Sequence, residues 1–334
     1  MTLQAHTVLP DAKGQGGDVW FVSNDKDMSL PKAQLGDAGR HTIIHELGHA
    51  MGLTHPGNYN GILDRSKIDS HEDSQSHSVM SYRGERTTYA NHGGFRASAP
   101  QLDDIYAYQS KYGVNHQTRK DDTTYGFNSN TGRDFLSVNT KHDKMVAAIW
   151  DGGGNDTLDF SGYSQDQKIS LEEGTFSDVD GLKGNVSIAY GATIENAKGG
   201  TGNDWLVGNA ANNELRGGDG NDVLYGAEGS DKLWGGKGKD TFVYGNINDS
   251  SATAPDRIQD FVSGEDKVDV SGIRAQLGDK PLQFVSRFTG VSGEAIVAYD
   301  RQSNMSTLQI SGKPNQPAFV LEVQGELQRS DIVS

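Results

Sequence analysis

The chain has 334 residues, a formal net charge of −15, 43 glycines and no cysteine. The length suggests about two domains, the lack of cysteine excludes a disulfide framework, and the acidic balance argues against nucleic-acid binding, which needs a basic surface. No apolar run is long enough for a membrane span. Residues 1–14 lack the charged start and apolar core of a cleavable signal peptide.

A metal-binding pattern occurs early in the chain. His45 and His49 are four residues apart and therefore share one face of a predicted helix, from which both imidazoles can reach one ion. Gly52 allows a sharp turn that brings back His55 as a third ligand. Glu46 can act on a water molecule without ligating the metal. Three protein ligands with an open fourth position predict a catalytic zinc ion. The alternative is a helical histidine pair that is solvated or satisfied in the core.

A tight turn that carries an apolar thioether, Met80, is predicted at 78–82. On its own this pattern is weak, because a methionine in such a string is more often an ordinary core residue. The preceding loop is expected to be solvated, together with its ionisable side chains His71, Glu72, Asp73 and His77.

A second helix is predicted to begin at Pro100 and to end near Gly113. Proline suits a first turn, and the acidic residues that follow suit the positive end of a helix. Its apolar face is expected to contain Leu102, Ile105 and Tyr112. Short strand and turn patterns continue from 124 to 162.

The acidic, glycine-rich part of the chain repeats every nine residues. Residues 199–207 match G-G-x-G-x-D-x-U-x, and four more copies follow to 243 without a slip. This period predicts a parallel β-roll, in which each copy forms a calcium-binding turn and a short strand with one inward apolar residue. The alternative, a flexible Gly/Asp linker, would not keep the apolar residue in phase. The inward residues are Leu206, Leu215, Leu224, Leu233 and Phe242.

The predicted calcium ligands of the repeats are turn glycines, through their carbonyls, and sixth-position aspartates. They are Gly200, Gly202, Asp204, Gly217, Gly218, Gly220, Asp222, Gly226, Gly229, Asp231, Gly235, Gly236, Gly238 and Asp240. The copy at 208–216 has Asn or Ala at most of its glycine positions, so only partial ligation is expected there. Residues 244–334 alternate apolar and polar side chains and predict a β-sandwich cap.

Together, the three histidines, His55-Pro56, the turn at 78–82 and the nonapeptides resemble the serralysin family, secreted bacterial zinc proteases of the metzincin class with RTX repeats. In that family the turn, called the Met-turn, lies beneath the zinc. The resemblance implies an α+β fold with a metzincin-like zinc protease domain at 1–115. An all-β domain at 116–334 would follow, made of a parallel β-roll and a β-sandwich cap.

The resemblance also implies further site residues. Tyr82 would ligate the zinc or stabilise the oxyanion, beside the catalytic Glu46. A calcium site at the domain junction would use Arg119, Asp121, Thr123, Asp151, Gly153, Gly154 and Asp156, and a neighbouring site would use Thr193 and Glu195. Asp121 stands where the family usually has glycine. Each of these junction residues could instead be a polar loop residue in solvent.

The start of the chain departs from the family. Only 44 residues precede His45, so an N-terminally short protease domain is expected, either truncated or naturally variant with a repaired sheet. Leu3–Leu9 resembles the edge strand that pairs with substrate, and Gly17–Val22 resembles the strand beside it.

The implied function is that of a secreted zinc endopeptidase with one catalytic Zn²⁺ and several structural Ca²⁺. The expected chain is an extracellular monomer that acts on protein or peptide substrates, without nucleic-acid binding or membrane insertion. Its last residues, Ser330–Ser334, resemble the uncleaved signal of type I ABC exporters. Two alternatives remain open. One is a truncated serralysin-like protein that binds zinc and calcium with weak or no proteolysis, and the other is a calcium-binding module with a vestigial zinc site.

Overall fold

The computed structural model describes residues 5–10, 16–21, 33–57, 59 and 70–334. Leu3, Gln4 and Val22 of the two strands predicted at the front lie outside this described part. The chain divides into two compact units. The first comprises Met1–Gly154 and Glu173–Ala192, and the second comprises Asn155–Glu172 and Thr193–Ser334. None of the helices in the described ranges is both long and apolar enough to cross a membrane.

The α-helices of the described residues are α1 (Ala38–Ala50), α2 (Leu102–Tyr112) and α3 (Ser271–Gln276). Short 3₁₀ helices occur at Glu85–Thr87, Asp134–Leu136 and Arg329–Asp331. The strands are β1 (Ala5–Thr7), β2 (Val19–Phe21), β3 (Thr124–Gly126), β4 (Ala147–Ile149), β5 (Thr157–Asp159), β6 (Lys168–Ser170), β7 (Phe176–Ser177), β8 (Val186–Ile188), β9 (Asn196–Lys198), β10 (Trp205–Val207), β11 (Glu214–Asp219), β12 (Val223–Tyr225), β13 (Lys232–Lys237), β14 (Thr241–Val243), β15 (Asp256–Ile258), β16 (Lys267–Asp269), β17 (Gln283–Phe284), β18 (Glu294–Asp300), β19 (Met305–Ile310), β20 (Phe319–Gln324) and β21 (Ile332–Val333).

In the first unit, α1 carries the metal-binding pattern. Its N-terminus is capped by Asp37, whose carboxylate accepts the backbone N–H of Arg40 at 2.7 Å. The helix ends just before Gly52, where φ is +83°, a value that glycine adopts without the steric cost of a side chain. β1 and β2 pair in antiparallel fashion, with Thr7 opposite Val19. The strands β4, β8 and β7 form a separate sheet of the same unit.

The Met-turn packs directly against α1. A Cβ atom at Gly48 would lie 2.3 Å from the Sδ of Met80, so glycine at this position allows the turn to approach the helix. Met80 is almost completely buried and belongs to an apolar cluster that also contains Leu53, Val79, Ala97 and Val146. The sulfur atom therefore fills the space beneath the helical turn that bears the histidines.

The helix predicted near Pro100 is present as α2. Its N-terminus is closed by a capping box between Gln101 and Asp104, and it stops at Gly113, where φ is +86°. The expected apolar face is wrong at one position. Tyr112 is 57% exposed, and its hydroxyl donates to the backbone carbonyl of Met51 at 2.7 Å. A tyrosine can extend its polar tip to the surface in this way while a leucine cannot.

The second unit contains the parallel sheets that the nonapeptides predict. Successive strands of the repeats alternate between two sheets, and each pairs with the strand that lies two repeats further along. Leu206 is opposite Leu224, which is opposite Phe242 in the same sheet, and Leu215 is opposite Leu233 in the other. All five inward residues are 0% exposed. Two nonapeptides therefore complete one coil, and their apolar side chains stack inside it.

The residues after the repeats extend the same two sheets. One sheet has the order β6-β10-β12-β14-β16-β21. In the other, β5-β9-β11-β13-β15 are followed by β20-β19-β18-β17. β18, β19 and β20 pair in antiparallel fashion, and β20 joins β15 in parallel. The predicted cap thus continues the two sheets of the roll. Its strands cover the edges that the last coil of the repeats would otherwise expose.

The stacked core makes a direct prediction for Leu224, which lies between the equivalent residues of the coils before and after it. Leu224→Ala should lower the free energy of unfolding by about 2–5 kcal/mol, because the neighbouring coils cannot collapse into the cavity. Leu224→Met, which nearly conserves volume, should cost less than about 1.5 kcal/mol. Urea denaturation in calcium-containing buffer measures both. Equal losses for the two variants would contradict the packing described here.

Candidate metal centres

Three imidazoles meet at the C-terminal end of α1. His45 and His49 lie one turn apart on the helix, and the chain turns back at Gly52 to bring in His55. The Nε2 of His55 lies 3.2 Å from that of His49 and 3.3 Å from that of His45. Glu46, on the same helix, is 7% exposed. Among the residues that the structure describes, these three histidines form the group of side chains suited to holding a metal ion.

Each of these imidazoles is held by a backbone carbonyl at its other nitrogen. The Nδ1 atoms of His45, His49 and His55 lie 2.8, 2.8 and 2.9 Å from the carbonyl oxygens of Val79, Leu53 and Tyr59. A carbonyl oxygen can only accept a hydrogen bond, so each Nδ1 carries the proton. The unprotonated Nε2 atoms therefore face one another. Hydrogen-bond partners at the other ring nitrogen orient metal-bound histidines in the same way.

The surroundings of the cluster favour the neutral imidazole at His45 and His55. Burial, followed by repulsion from the neighbouring histidines, lowers the pKa of His55 to about 4. Burial likewise lowers the pKa of His45 below its ordinary value. A neutral imidazole is the form that ligates a metal. Two ligands of a tetrahedral zinc ion at about 2.0–2.1 Å would be about 3.3–3.4 Å apart, which agrees with the 3.2 and 3.3 Å between Nε2 atoms.

A buried carboxylate anchors the Met-turn that supplies the first of these carbonyls. Asp104 accepts the hydroxyl of Ser78 at 2.6 Å, the backbone N–H of Val79 at 2.8 Å and that of Gln101 at 2.9 Å. The sequence identified Asp104 only as an acidic residue at a helix start. Its fixed contacts set the position of the Val79 carbonyl, and through it the ring of His45.

Tyr59 connects the third histidine to the end of the Met-turn. Its carbonyl holds His55, and its hydroxyl donates to Asp73 at 2.8 Å and accepts the backbone N–H of Tyr82 at 3.3 Å. Ser81 donates to the same Asp73 oxygen at 2.5 Å. The expectation of a solvated Asp73 is wrong, because this side chain is 1% exposed. The ring of Tyr82 lies beside the cluster, with its centroid 4.4 Å from that of the His55 ring.

The repeats bring their sixth-position residues into two ladders. In one, Asp222 accepts the backbone N–H of Asp204 at 2.7 Å, and Asp240 accepts that of Asp222 at 2.8 Å. In the other, Asp231 accepts the N–H of Asn213 at 2.7 Å. In each contact the acceptor is Oδ1 of a residue in the next coil. The residues predicted as ligands therefore stack one above another along the roll.

The second carboxylate oxygen of several ladder residues is buried without a hydrogen-bond donor. This holds within the described residues for the Oδ2 atoms of Asp222, Asp231 and Asp240. Burial raises the pKa of Asp222 to about 7 and that of Asp240 to about 6, and it also raises the pKa of Asp231. A buried carboxylate oxygen without a partner is costly unless a cation or a proton satisfies it. A hard cation with oxygen ligands, such as Ca²⁺, fits these positions.

The turn glycines leave no room for side chains between the coils. A Cβ atom at Gly218 would lie 2.1 Å from the carbonyl oxygen of Gly200, and one at Gly236 would lie 1.8 Å from that of Gly218. A Cβ at Gly235 would lie 2.2 Å from the Oδ2 of Asp240. Carbonyl and carboxylate oxygens therefore surround the turns, which are the ligand types that Ca²⁺ prefers.

Two sixth-position residues of the repeats, Asn213 and the predicted ligand Asp204, differ from this pattern. At the degenerate copy, the side-chain amide of Asn213 donates to the carbonyl of Glu195 and to the side chain of Asn209, both at 3.0 Å. Asp204, at the start of the repeats, accepts N–H groups from Gly200 at 2.6 Å and from the backbone of Gln167 at 2.8 Å. At these two positions, protein groups make hydrogen bonds that the buried Oδ2 atoms described above lack.

The comparisons with known proteins point to one family. The family model for the C-terminal part of the M10 serralysin peptidases matches residues 114–334. Metalloprotease AprA of Pseudomonas entomophila strain L48 is 52% identical over 326 residues, which cover 95% of this chain and 67% of that protein. Serralysin C of Dickeya chrysanthemi is 49% identical over 335 residues, which cover 99% and 69%. The serralysin of Photorhabdus sp. strain Az29 is 48% identical over 338 residues, which cover 98% and 70%.

The chain belongs to the serralysin family. The resemblance inferred from the motifs is thereby confirmed, and the relatives named above are similar to it over nearly all of its length. These relatives extend beyond the matched part, since the chain covers 67–70% of their lengths.

The serralysin-like junction residues of the first unit come from two segments, 119–123 and 151–154, which hydrogen bonds bring together. Asp151 accepts the hydroxyl of Tyr125 at 2.5 Å and the N–H of Gly153 at 2.7 Å. The Arg119 guanidinium donates to the carbonyl of Trp150, and the Thr123 hydroxyl donates to the carbonyl of Asp121 at 2.7 Å. Both carboxylate oxygens of Asp151 therefore have protein donors, whereas the Oδ2 atoms of Asp222, Asp231 and Asp240 have none among the described residues.

The remaining junction residues belong to the second unit. There the backbone N–H of Asp156 donates to the carboxylate of Glu195 at 2.7 Å. Thr193, two residues before Glu195, also belongs to the second unit. This contact brings together Asp156 and Glu195, two residues that the family resemblance assigned to separate calcium sites.

The ladders continue beyond the repeats through two aspartates that the sequence did not identify. Asp256 accepts the N–H of Asp231 at 2.9 Å, and Asp266 accepts that of Asp240 at 3.0 Å. The Oδ2 of Asp256 is also buried without a donor among the described residues. These residues follow their partners by 25 and 26 positions instead of 18. A search of the sequence at a fixed nine-residue period could not identify these two aspartates. The strand pattern around each of them was the signal that could have done so.

Tyr59→Phe tests the connection between His55 and the Met-turn. The change removes a hydroxyl that serves Asp73 and Tyr82, so we expect a loss of about 1–3 kcal/mol in the free energy of unfolding. Urea denaturation of the zinc-free protein measures the loss. The matched control is Tyr106→Phe, whose ring is 58% exposed and which should change stability little. Similar effects of the two variants would contradict the network.

The raised pKa values of the ladder residues Asp222 and Asp240 predict how the metal-free roll responds to pH. The folded state keeps protons that the unfolded chain releases above about pH 4, so its stability should fall as pH rises from about 4 to about 7. Far-UV circular dichroism in chelator should therefore show more β-structure at pH 5 than at pH 8. Adding Ca²⁺ at pH 8 should restore it, since the cation replaces the protons. A chelated chain that is equally structured at both pH values would contradict this account.

Proposed function

We propose that this serralysin-family chain is a secreted, zinc-dependent endopeptidase that calcium stabilises. One observation carries the proposal: the Nε2 atoms of His49 and His45 lie 3.2 and 3.3 Å from that of His55, while each Nδ1 is held by a backbone carbonyl. Histidines that only stabilise a helix would not be expected to direct three nitrogen lone pairs to one point. The set matches three protein ligands with an open fourth position, the arrangement of catalytic zinc.

The proposed zinc ligands are His45, His49 and His55, with Tyr82 at the side of the cluster. Zinc held there would act as a Lewis acid that polarises the scissile carbonyl and lowers the pKa of water. His45 is buried, and His49 and His55 are half-buried.

Glu46 is the proposed general base. Its carboxylate takes a proton from the attacking water and later delivers that proton to the leaving amine. Glu46 directly follows His45 in the helix, so its carboxylate lies next to the cluster but is not one of the proposed ligands. Tyr82 donates its phenolic proton in a hydrogen bond to the oxyanion that forms at the scissile carbon. The phenol ring lies tilted against the ring of His55, with 4.4 Å between the two centroids, at the side of the cluster.

The proposed substrate is an extended protein or peptide chain that lies along β1. Within the described residues, β1 pairs with β2 along one edge. A peptide can add to the other edge through main-chain hydrogen bonds, which recognise backbone more than side chains. This mode predicts broad sequence preference.

The proposed role of the second unit is to bind several structural Ca²⁺ ions through the ladder carboxylates and turn carbonyls. Metal binding that creates the folded state would keep the chain unfolded at low cytosolic calcium and fold it outside the cell. This coupling suits export by a type I ABC system and an extracellular monomer. The domain limits proposed for these roles are 1–115 for the protease part and 116–334 for the calcium-binding part.

Casein hydrolysis by the purified chain with added Ca²⁺ tests the proposal. Glu46→Gln should lower kcat/KM by about 10²–10⁴-fold, since general acid–base catalysis contributes this much. A zinc chelator should abolish cleavage, and readdition of Zn²⁺ should restore it. The matched control is Glu326→Gln, which alters an exposed side chain of the second unit and should leave cleavage unchanged.

The outcomes separate the alternatives. Cleavage that survives both the chelator and Glu46→Gln would overturn the zinc mechanism. A folded chain that binds one zinc per molecule but cleaves neither casein nor short peptides would favour a weak or inactive serralysin-like protein. Loss of zinc binding altogether would favour a calcium-binding module.

A further inference from the structure

The carboxylate of Glu46 has a hydrogen-bond partner that no motif identifies. The hydroxyl of Thr7 lies 2.7 Å from the Oε2 atom of Glu46 and 3.1 Å from the Glu46 backbone carbonyl oxygen. These two residues are 39 positions apart in the sequence. Thr7 is half-buried and Glu46 is buried, so the contact is largely shielded from solvent. A short hydroxyl-to-carboxylate bond of this kind is stronger than one between neutral groups.

The position of the Thr7 hydroxyl follows from the strand that carries it. Side chains alternate across a strand, so Ala5 and Thr7 share one face of β1 while His6 points to the other. Burial agrees with this pattern, since His6 is exposed and its two neighbours are half-buried. Pairing of Thr7 with Val19 of β2 fixes the backbone, and a β-branched side chain has a restricted χ1. The hydroxyl is thus held in place from the strand side.

We infer that Thr7 is a positioning residue that holds Glu46 in one orientation. The hydroxyl retains Oε2, so Oε1 is the oxygen left to receive the proton from water. This inference rests on the proposed function, since it assigns Thr7 a role toward the proposed base. A glutamate has three side-chain torsions to fix, and small misplacements of a reacting group are costly in rate.

Thr7→Val removes the hydroxyl and keeps the branched shape that suits the strand. We expect kcat for a short peptide substrate to fall about tenfold, with KM changed less than about threefold, because the ground-state peptide makes no contact with the lost proton. Thr7→Ser should restore most of kcat, since it returns the donor. The matched control is Thr140→Val, which alters an exposed threonine of the same unit and should change neither constant. A variant Thr7→Val with unchanged kcat, or one that Thr7→Ser fails to rescue, would overturn the inference.

A second measurement tests the contact without any activity. In zinc-free protein, Thr7→Val should lower the urea midpoint of the first unit by about 0.5 M. In the Glu46→Ala background the same change should shift the midpoint less than half as much, because the carboxylate is gone and only the backbone carbonyl at this position can still accept the hydroxyl. Equal shifts in both backgrounds would show that the threonine acts through packing alone, and would overturn the inference.

The two measurements also separate this inference from the proposed function. If the parent chain cleaves no peptide, the proposed function fails, and the coupling in urea still decides whether Thr7 holds Glu46. If the parent chain is active and the coupling is absent, the proposed function stands and the inference fails.

Discussion

Backbone hydrogen bonds hold one atom of each proposed histidine ligand and of three ladder aspartates, and leave a second atom of each to face its neighbours. In the first unit the Nδ1 of each imidazole is bound to a carbonyl, so that Nε2 converges with the other two. In the second unit the Oδ1 atoms of Asp222, Asp231 and Asp240 accept a backbone N–H of the preceding coil, while their Oδ2 atoms have no donor among the described residues. Both kinds of site therefore derive their geometry from the main chain, which is the most rigid part of a fold.

The same arrangement brings like groups together, and it makes both sites depend on charge. Burial lowers the pKa of His45 and of His55, which favours the neutral imidazoles that can bind a cation. The carboxylates of the ladders have the opposite tendency, since burial raises the pKa of Asp222 toward neutrality. Without a cation these carboxylates must hold protons or repel one another. A divalent cation bound between these carboxylates removes both their repulsion and their need for protons. For this reason metal binding and folding are coupled in the proposed function.

The parts that could be predicted from the sequence are those set by local spacing. One turn of helix places His45 and His49 on one face, and a nine-residue period places Leu206 and Leu215 inside the roll. Both features follow from distances of a few residues along the chain, so the sequence contains them directly. The family membership follows from the same two patterns.

The rest of the site depends on contacts between residues far apart in the sequence, and no spacing rule reaches them. The supporting residues found in this way are Thr7, Tyr59, Asp73 and Asp104. Asp73 was expected in solvent, because a carboxylate in a polar loop usually is, and only the hydroxyls of Tyr59 and Ser81 explain its burial. The aspartates beyond the repeats were missed for a related reason, since an insertion breaks the period while the hydrogen-bond ladder continues across it.

These supporting contacts also explain how distant elements act on one reaction. The proposed ligands come from α1 and the turn that follows it, their carbonyl partners come in part from the Met-turn, and the hydroxyl at the proposed base comes from β1. On the proposed mechanism, a peptide that adds to β1 pairs with the strand that also holds Glu46. Binding of the substrate backbone would then steady the strand that orients the base, because an edge strand gains hydrogen bonds when a partner is added. Recognition of main chain and positioning of the proton acceptor would thus reside in one element, which requires no contact with the substrate's side chains.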